Sequence, residues 1–191
     1  MPRLILASAS PRRRQFLTNA GYNFDVVPAD LDEASFQADG AEQLAQVLAR
    51  EKCAAISAHF PEAVVIGADT TVAAADGTLL GKPTDRADAA RIIRKLTGPP
   101  HLVATGVAVG FGDRLETSVD VARVTMRPLS DEELERYLDS DAWDGKAGAY
   151  GIQNDDPFVT DLDGRRDTVM GLPMNKTQML LEQLGVTPVG P

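Results

Sequence analysis

Along this chain, continuous apolar runs alternate with segments whose apolar positions recur every three to four residues. Residues 3–7 read as a short apolar strand; Ser10 then suits an N-cap, Pro11 the first helical position, and Gly21 the stop. "NFDVVPADLDE" (23–33) reads as a strand leading into an acidic loop. Residues 41–57 carry the clearest helical pattern: Glu42, Gln43, Gln46, Arg50 and Ser57 share a polar face, and Leu44, Ala45, Val47, Leu48 and Ile56 the opposite one. Glu51 and Lys52 fall inside the apolar arc, where charge needs a reason. "EAVVIGAD" (62–69) is a continuous apolar run closed by a carboxylate, the pattern of a buried strand with Asp69 at its C-terminal end.

Farther on, Asp76-Gly77 marks a hairpin turn, and a helix is expected over about 85–97 with Ile92, Ile93 and Leu96 inward, ended by Gly98-Pro99-Pro100. Residues 101–111 and 117–126 pair around a Gly112-Asp113 turn. Ser130 and Glu133 match a capping box for a helix through Leu138. A Gly-rich loop (145–151), a strand near 158–162 and a last helix from Asn175 to Leu184 follow. Strands and helices alternate but hairpins intervene, so the fold class is α/β with a mixed sheet.

Composition narrows the function classes. A chain of 191 residues with 43% hydrophobic and 25% charged residues supports one sizeable core or two small lobes around a cleft. Lys plus Arg total 19 and Asp plus Glu 28, and the net charge of −9 argues against bulk attraction to nucleic acid or an anionic membrane. Residues 1–24, with Arg3, Arg12, Arg13 and Arg14, nevertheless contain no acid at all. Cys53 is the only cysteine, which suits a reducing cytoplasm; no apolar run approaches a membrane span or a signal-peptide core.

The N-terminal segment "LASASPRRRQFL" (6–17) sets positive charge at a helix start, where unpaired N–H groups already favour an anion. It suits either a phosphate clamp, with Ser8 and one or two arginines, or a capped helix with a solvated basic face. It lacks the Walker spacing. Asp69 suits a metal ligand or general base, or a strand-end cap. Glu33 in "DLDE" suits a second metal carboxylate or a surface acid; Lys52 and Lys82 suit phosphate partners, an acid-paired helix lysine and a turn lysine. Together these carboxylates and cations suit polyphosphate cleavage. Neither His59 nor His101 makes a convincing catalytic choice, and no Ser-His-Asp order or zinc spacing is present.

The motifs "LILASASPRRRQFL" (4–17), "DLDE" (30–33), "LAREKC" (48–53), "VVIGADTTV" (64–72), "GKP" (81–83), "HLVATGVAV" (101–109), "KAGAYGIQ" (146–153) and "GLP" (171–173), in this order, resemble the Maf family of nucleoside triphosphate pyrophosphatases over almost the whole chain. The resemblance implies one domain over 1–191, an elongated, twisted mixed sheet flanked by helices, and two lobes around a central cleft. It implies hydrolysis of a nucleoside triphosphate to monophosphate and pyrophosphate with a divalent cation, Mg or Mn, and members often form homodimers. By the same resemblance Asp69 is the catalytic carboxylate, Asp69 and Glu33 hold the metal, and Ser8, Arg13, Lys52, Lys82 and Lys146 line the phosphate and metal site.

Within the family, Arg12, Thr70 and Gln153 match the subgroup acting on dTTP and UTP, and a Gln amide can pair with an imide edge. Two segments depart from that subgroup: Asn154-Asp155-Asp156 replaces a usual glycine, and "GRRDTVM" (164–170) is closer to the 7-methyl-GTP subgroup. The competing readings are a broader house-cleaning pyrophosphatase, a partner-binding regulator of cell division, and a phosphatase releasing orthophosphate.

Overall fold

The apolar run at 62–69 is the hub of the sheet, and it extends farther than the sequence pattern suggests. Strand β3 spans Ala63–Ala73, and Asp69 sits in its middle, not at its end. The β-branched Thr70, Thr71 and Val72 continue the extended chain past the carboxylate. The computed structural model describes residues 2–152 and 158–189.

The seven strands are β1 (Arg3–Leu6), β2 (Asp25–Val26), β3, β4 (Leu79–Leu80), β5 (His101–Phe111), β6 (Arg114–Met126) and β7 (Val159–Asp163). They form one mixed sheet in the order β2-β1-β3-β5-β6-β7, with β4 also paired to β3. β1 is parallel to β2 and β3; β3, β5, β6 and β7 are successively antiparallel. The α/β class with a mixed sheet is thus as expected. Two further strands differ in extent: within 23–33, expected to hold a strand leading into an acidic loop, β2 covers only Asp25–Val26, and β6 begins at Arg114, so that the β5–β6 hairpin closes tightly at Gly112 (φ 55°).

The helices are α1 (Pro11–Asn19), α2 (Ala41–Ser57), α3 (Arg86–Leu96), α4 (Asp131–Asp139), α5 (Arg166–Val169) and α6 (Met174–Gln183). Ser10 caps α1 with Pro11 at its first position, Asp85 caps α3, and Ser130 with Glu133 forms the reciprocal capping box of α4. Helix α5, at four residues, is too short to leave a periodic trace in the sequence.

Alternation along β3 divides the core. Ala63, Val65 and Ala73 face α2. Val64, Ile66 and Ala68 join Leu17, Leu172, Leu180 and Leu181 under α1 and α6. On that same face, Val72 and Ala74 join Ile92, Ile93, Leu96, Leu134 and Leu138 under α3 and α4. Each fully buried Ile or Leu contributes about 1.5–3 kcal/mol. Thr70 lies between these two clusters. Helix α2 lies unusually close to the sheet because Gly67 and Gly106 oppose it; a Cβ at Gly67 would stand 2.2 Å from the Ala49 carbonyl oxygen, and one at Gly106 2.3 Å from that of Ala45.

Candidate active site

The strand pairing leaves a notch beside β3. β1 pairs with β3 only through Ile66, and β4 rejoins it only at Val72 and Ala73. Over the stretch between, no strand among the described residues lies beside the β3 edge, so Asp69 and Thr70, which point to opposite faces, both reach one opening. That opening is a cavity of about 570 Å³ whose wall includes Ser8, Arg12, Arg13, Glu33, Lys52, Asp69, Thr70, Lys82 and Lys146. Nine of the ten residues singled out from the sequence therefore share one cavity. The tenth, Gln153, lies outside the described residues, as do Asn154, Asp155 and Asp156.

The close approach of α2 to Gly67 delivers Lys52 to Asp69. Its Nζ donates to Asp69 Oδ1 at 2.6 Å and stands 2.7 Å from Glu33 Oε1. The inward lysine of the helical pattern thus holds two acids from different segments. Burial pushes the Glu33 carboxyl up, but the Lys52 hydrogen bond and the charges of Lys52, Lys82 and Arg13 outweigh it, so the net shift is downward. Thr71 Oγ1 donates to Asp69 Oδ2 at 3.4 Å.

The N-terminus of α1 opens on the same cavity. Arg13 donates through Nε to the Gly171 carbonyl (2.7 Å), through Nη1 to Ser8 Oγ (3.0 Å) and through Nη2 to Thr70 Oγ1 (3.3 Å). Ser8 Oγ also accepts from the Ser10 N–H at 3.2 Å. These bonds fix the guanidinium plane and leave N–H groups for a ligand. Burial lowers the basicity of both Arg12 and Arg13; for Arg13, Asp69 and Glu33 oppose it. Arg14, one position farther round the helix, is exposed and outside the cavity wall. Lys82 is exposed on the "GKP" turn, which is tied to the 147–149 turn by a 3.1 Å bond from the Gly148 N–H to the Gly81 carbonyl. Lys146 donates to the Ala142 carbonyl.

Sequence reasoning missed a second tier. Thr105 and Thr168 are fully buried behind Thr70; Asp120 bonds to Thr168, and Arg166 donates to the Ile152 carbonyl at 2.5 Å. The available signal was polarity: Thr105 interrupts the apolar run of "HLVATGVAV", and a buried hydroxyl demands a partner.

Residues 3–184 match the family model described as Maf-like protein. The chain belongs to the Maf family. Maf relatives with curated names include a dTTP/UTP pyrophosphatase of Cereibacter sphaeroides, 45% identical over 185 residues that cover 96% of this chain and 95% of its own. One of Koribacter versatilis is 44% identical over 185 residues (96% and 95%), and one of Bacillus pumilus 42% over 189 (98% and 100%). Among solved structures, a HAM1 protein from Coxiella burnetii aligns with 97% of this Maf chain and 100% of its own, at 11% identity and a TM-score of 0.49, too loose a likeness to build on.

Proposed function

We propose that this chain, acting as one domain over residues 1–191, hydrolyses dTTP and UTP to the monophosphate and pyrophosphate in the cytoplasm. Membership of the Maf family and the names of the relatives above support the reaction. The observation that carries it is the Lys52 ammonium between the Asp69 and Glu33 carboxylates, in a cavity that also holds Arg12, Arg13, Lys82 and Lys146. A triphosphate needs that many cations, and a water attacking its α-phosphorus needs a base. In this reading the water oxygen bonds to the α-phosphorus, its proton passes to the Asp69 carboxylate, the α–β phosphoanhydride breaks, and pyrophosphate leaves. Lys52 holds and aims the Asp69 carboxylate. Arg13, braced by Ser8 and Gly171, aligns the phosphates, and Lys82 screens them at the cavity mouth.

The donor set fits a divalent cation only with substrate present. Among the described residues no group of three or more His, Cys, Asp or Glu is placed to hold one. Asp69 and Glu33 would supply two carboxylate ligands and the phosphates the rest, the usual manner of Mg²⁺. Bound there, Mg²⁺ or Mn²⁺ would neutralise charge on the phosphate oxygens. Arg12, Thr70 and Gln153 are proposed to choose the base.

A panel of dTTP, UTP, CTP, ATP, GTP and 7-methyl-GTP with Mg²⁺ or Mn²⁺, scored separately for pyrophosphate and orthophosphate, tests this. Monophosphate and pyrophosphate are expected, fastest from dTTP and UTP. Stepwise diphosphate and orthophosphate would refute the reaction; a purine preference would refute the base assignment alone.

A further inference from the structure

Three strands place Thr70, Thr105 and Asp120 side by side: Thr70 on β3 is directly opposite Thr105 on β5, which is directly opposite Asp120 on β6. Thr168, on α5, lies over the last two. The hydroxyls of Thr70 and Thr105 are 2.9 Å apart. Thr105 Oγ1 also lies 2.7 Å from the Thr168 carbonyl oxygen, and Thr168 Oγ1 donates to Asp120 Oδ2.

The chemistry at the two ends sets the direction of this chain. A backbone carbonyl only accepts, so the single Thr105 proton goes to Thr168. Thr105 can therefore meet Thr70 only as an acceptor, and the Thr70 proton is committed to Thr105. At the other end a guanidinium only donates, so Arg13 fills one Thr70 lone pair. What Thr70 has left for the cavity is one lone pair and no proton. Such an oxygen repels a phosphate oxygen and welcomes an N–H. Thymine and uracil carry an N–H at ring position 3, where cytosine carries a lone pair.

We propose that Thr105, a residue that does not line the cavity, is a specificity-positioning residue: it makes Thr70 a pure acceptor and thereby a reader of the imide N–H. The inference rests on the proposed pyrophosphatase reading and adds to it the element that rejects cytosine. Thr168, within the "GRRDTVM" segment, supplies the carbonyl that orients the relay, so that segment has a part in base choice although Thr168 does not touch the cavity.

The test is the ratio of kcat/KM for UTP to that for CTP, measured by pyrophosphate release in the native chain, Thr105→Val and Thr105→Ser, with melting temperatures alongside. Valine cannot accept the Thr70 proton, which then turns to the cavity and serves cytosine. The ratio is expected to fall on the order of tenfold, about one hydrogen bond's discrimination. It falls partly by a rise in CTP turnover, which simple damage does not produce. Serine keeps the acceptor and is expected to hold the native ratio. Should the valine variant not fold, Thr105→Ala, which leaves room for a freely orienting water, is assayed instead with the same expectation. A folded Val or Ala variant with an unchanged ratio overturns the inference, as does a native ratio that already favours CTP. If the native chain releases no pyrophosphate from any triphosphate, it is the proposed function that has failed.

Discussion

Lys52→Met removes the ammonium and keeps most of the stem. Lys52 and Asp69 side chains are 10% and 9% exposed, so the 2.6 Å contact between them is nearly dry; Glu33, at 41%, has water in reach. Glu33 can rehydrate, and the loss falls on Asp69, which is left as an unpaired buried charge. Breaking such a pair from one side costs about 3–5 kcal/mol. There is also a ceiling. Asp69 can escape by taking a proton, and against an ordinary aspartate in the unfolded chain that costs about 1.4 kcal/mol per pH unit above about 3.9, hence about 4 kcal/mol at pH 7 and about 1.5 at pH 5. In the variant the folded-state carboxyl is the more basic one, so the deficit is full at neutral pH and shrinks as the pH falls toward the unfolded value. Urea titrations of both proteins at pH 7 and pH 5 read it directly. A deficit of about 3–4 kcal/mol at pH 7 that shrinks by about half or more at pH 5 is expected, together with near-complete loss of turnover. A deficit below about 1 kcal/mol at pH 7, or one unchanged at pH 5, would refute the account of Lys52 as the counter-charge of Asp69.

Asp69→Asn, which keeps shape and removes the charge, is expected to lower kcat by about 10²–10⁴ while circular dichroism stays native; near-normal turnover would end its candidacy as the base. Gly67→Ala is expected to destabilise by about 1–3 kcal/mol or more and to depress turnover, because its Cβ would fall 2.2 Å from the Ala49 carbonyl oxygen and lift α2, with Lys52, off the sheet; an urea midpoint matching the native one would contradict that. His101 is buried against the Tyr150 hydroxyl at 2.8 Å, and burial pushes its imidazole down to about 4. Its unfolded form takes a proton below pH 6.5 and the folded form does not, so stability drains away as the pH falls toward 4. Relative to His101→Phe, the native chain should lose about 3 kcal/mol between pH 6.5 and 4, and parallel stability curves for the two would refute this.

How much of this was written in the sequence depends on the range of the interaction. Caps, turns and helical faces involve neighbours a few residues apart, and the Ser10–Pro11 start, the Ser130–Glu133 box and the inward Ile92, Ile93 and Leu96 of α3 are legible for that reason. Lys52 announced itself as a charge on an apolar arc, but nothing local says that Asp69, 17 residues on, is its counter-charge. The end of β3, at Ala73, is illegible for the same reason. A carboxylate closes an apolar run when only the run is seen, and it passes through the middle of a strand when a distant lysine neutralises it. Strand β2 shrank to two residues because it borders only the last two residues of β1, and Pro28 lacks the N–H to extend the ladder. The Thr70–Thr105–Thr168 relay joins three elements through register and hydrogen-bond direction, neither of which has a periodicity.

Pairing register and packing together explain why the candidate chemistry converges where it does. A strand presents alternate side chains to opposite faces, so Asp69 and Thr70 should not serve one ligand. Both nevertheless line one cavity here because β1 leaves β3 after Ile66 and β4 does not meet it until Val72. Through that gap the α2 face sends Lys52 and Asp69, the α1 face sends Ser8 and Arg13, and Thr70 stands where the two apolar clusters of that face part. The acids and Lys52 thus come from one side of the sheet, and the arginine and the hydroxyl relay from the other. In the proposed function, charge chemistry at the phosphates and hydrogen-bond reading at the base then have separate supports. Substitutions behind Thr70 are expected to change which base is accepted, and substitutions behind Asp69 to change whether any triphosphate is cleaved.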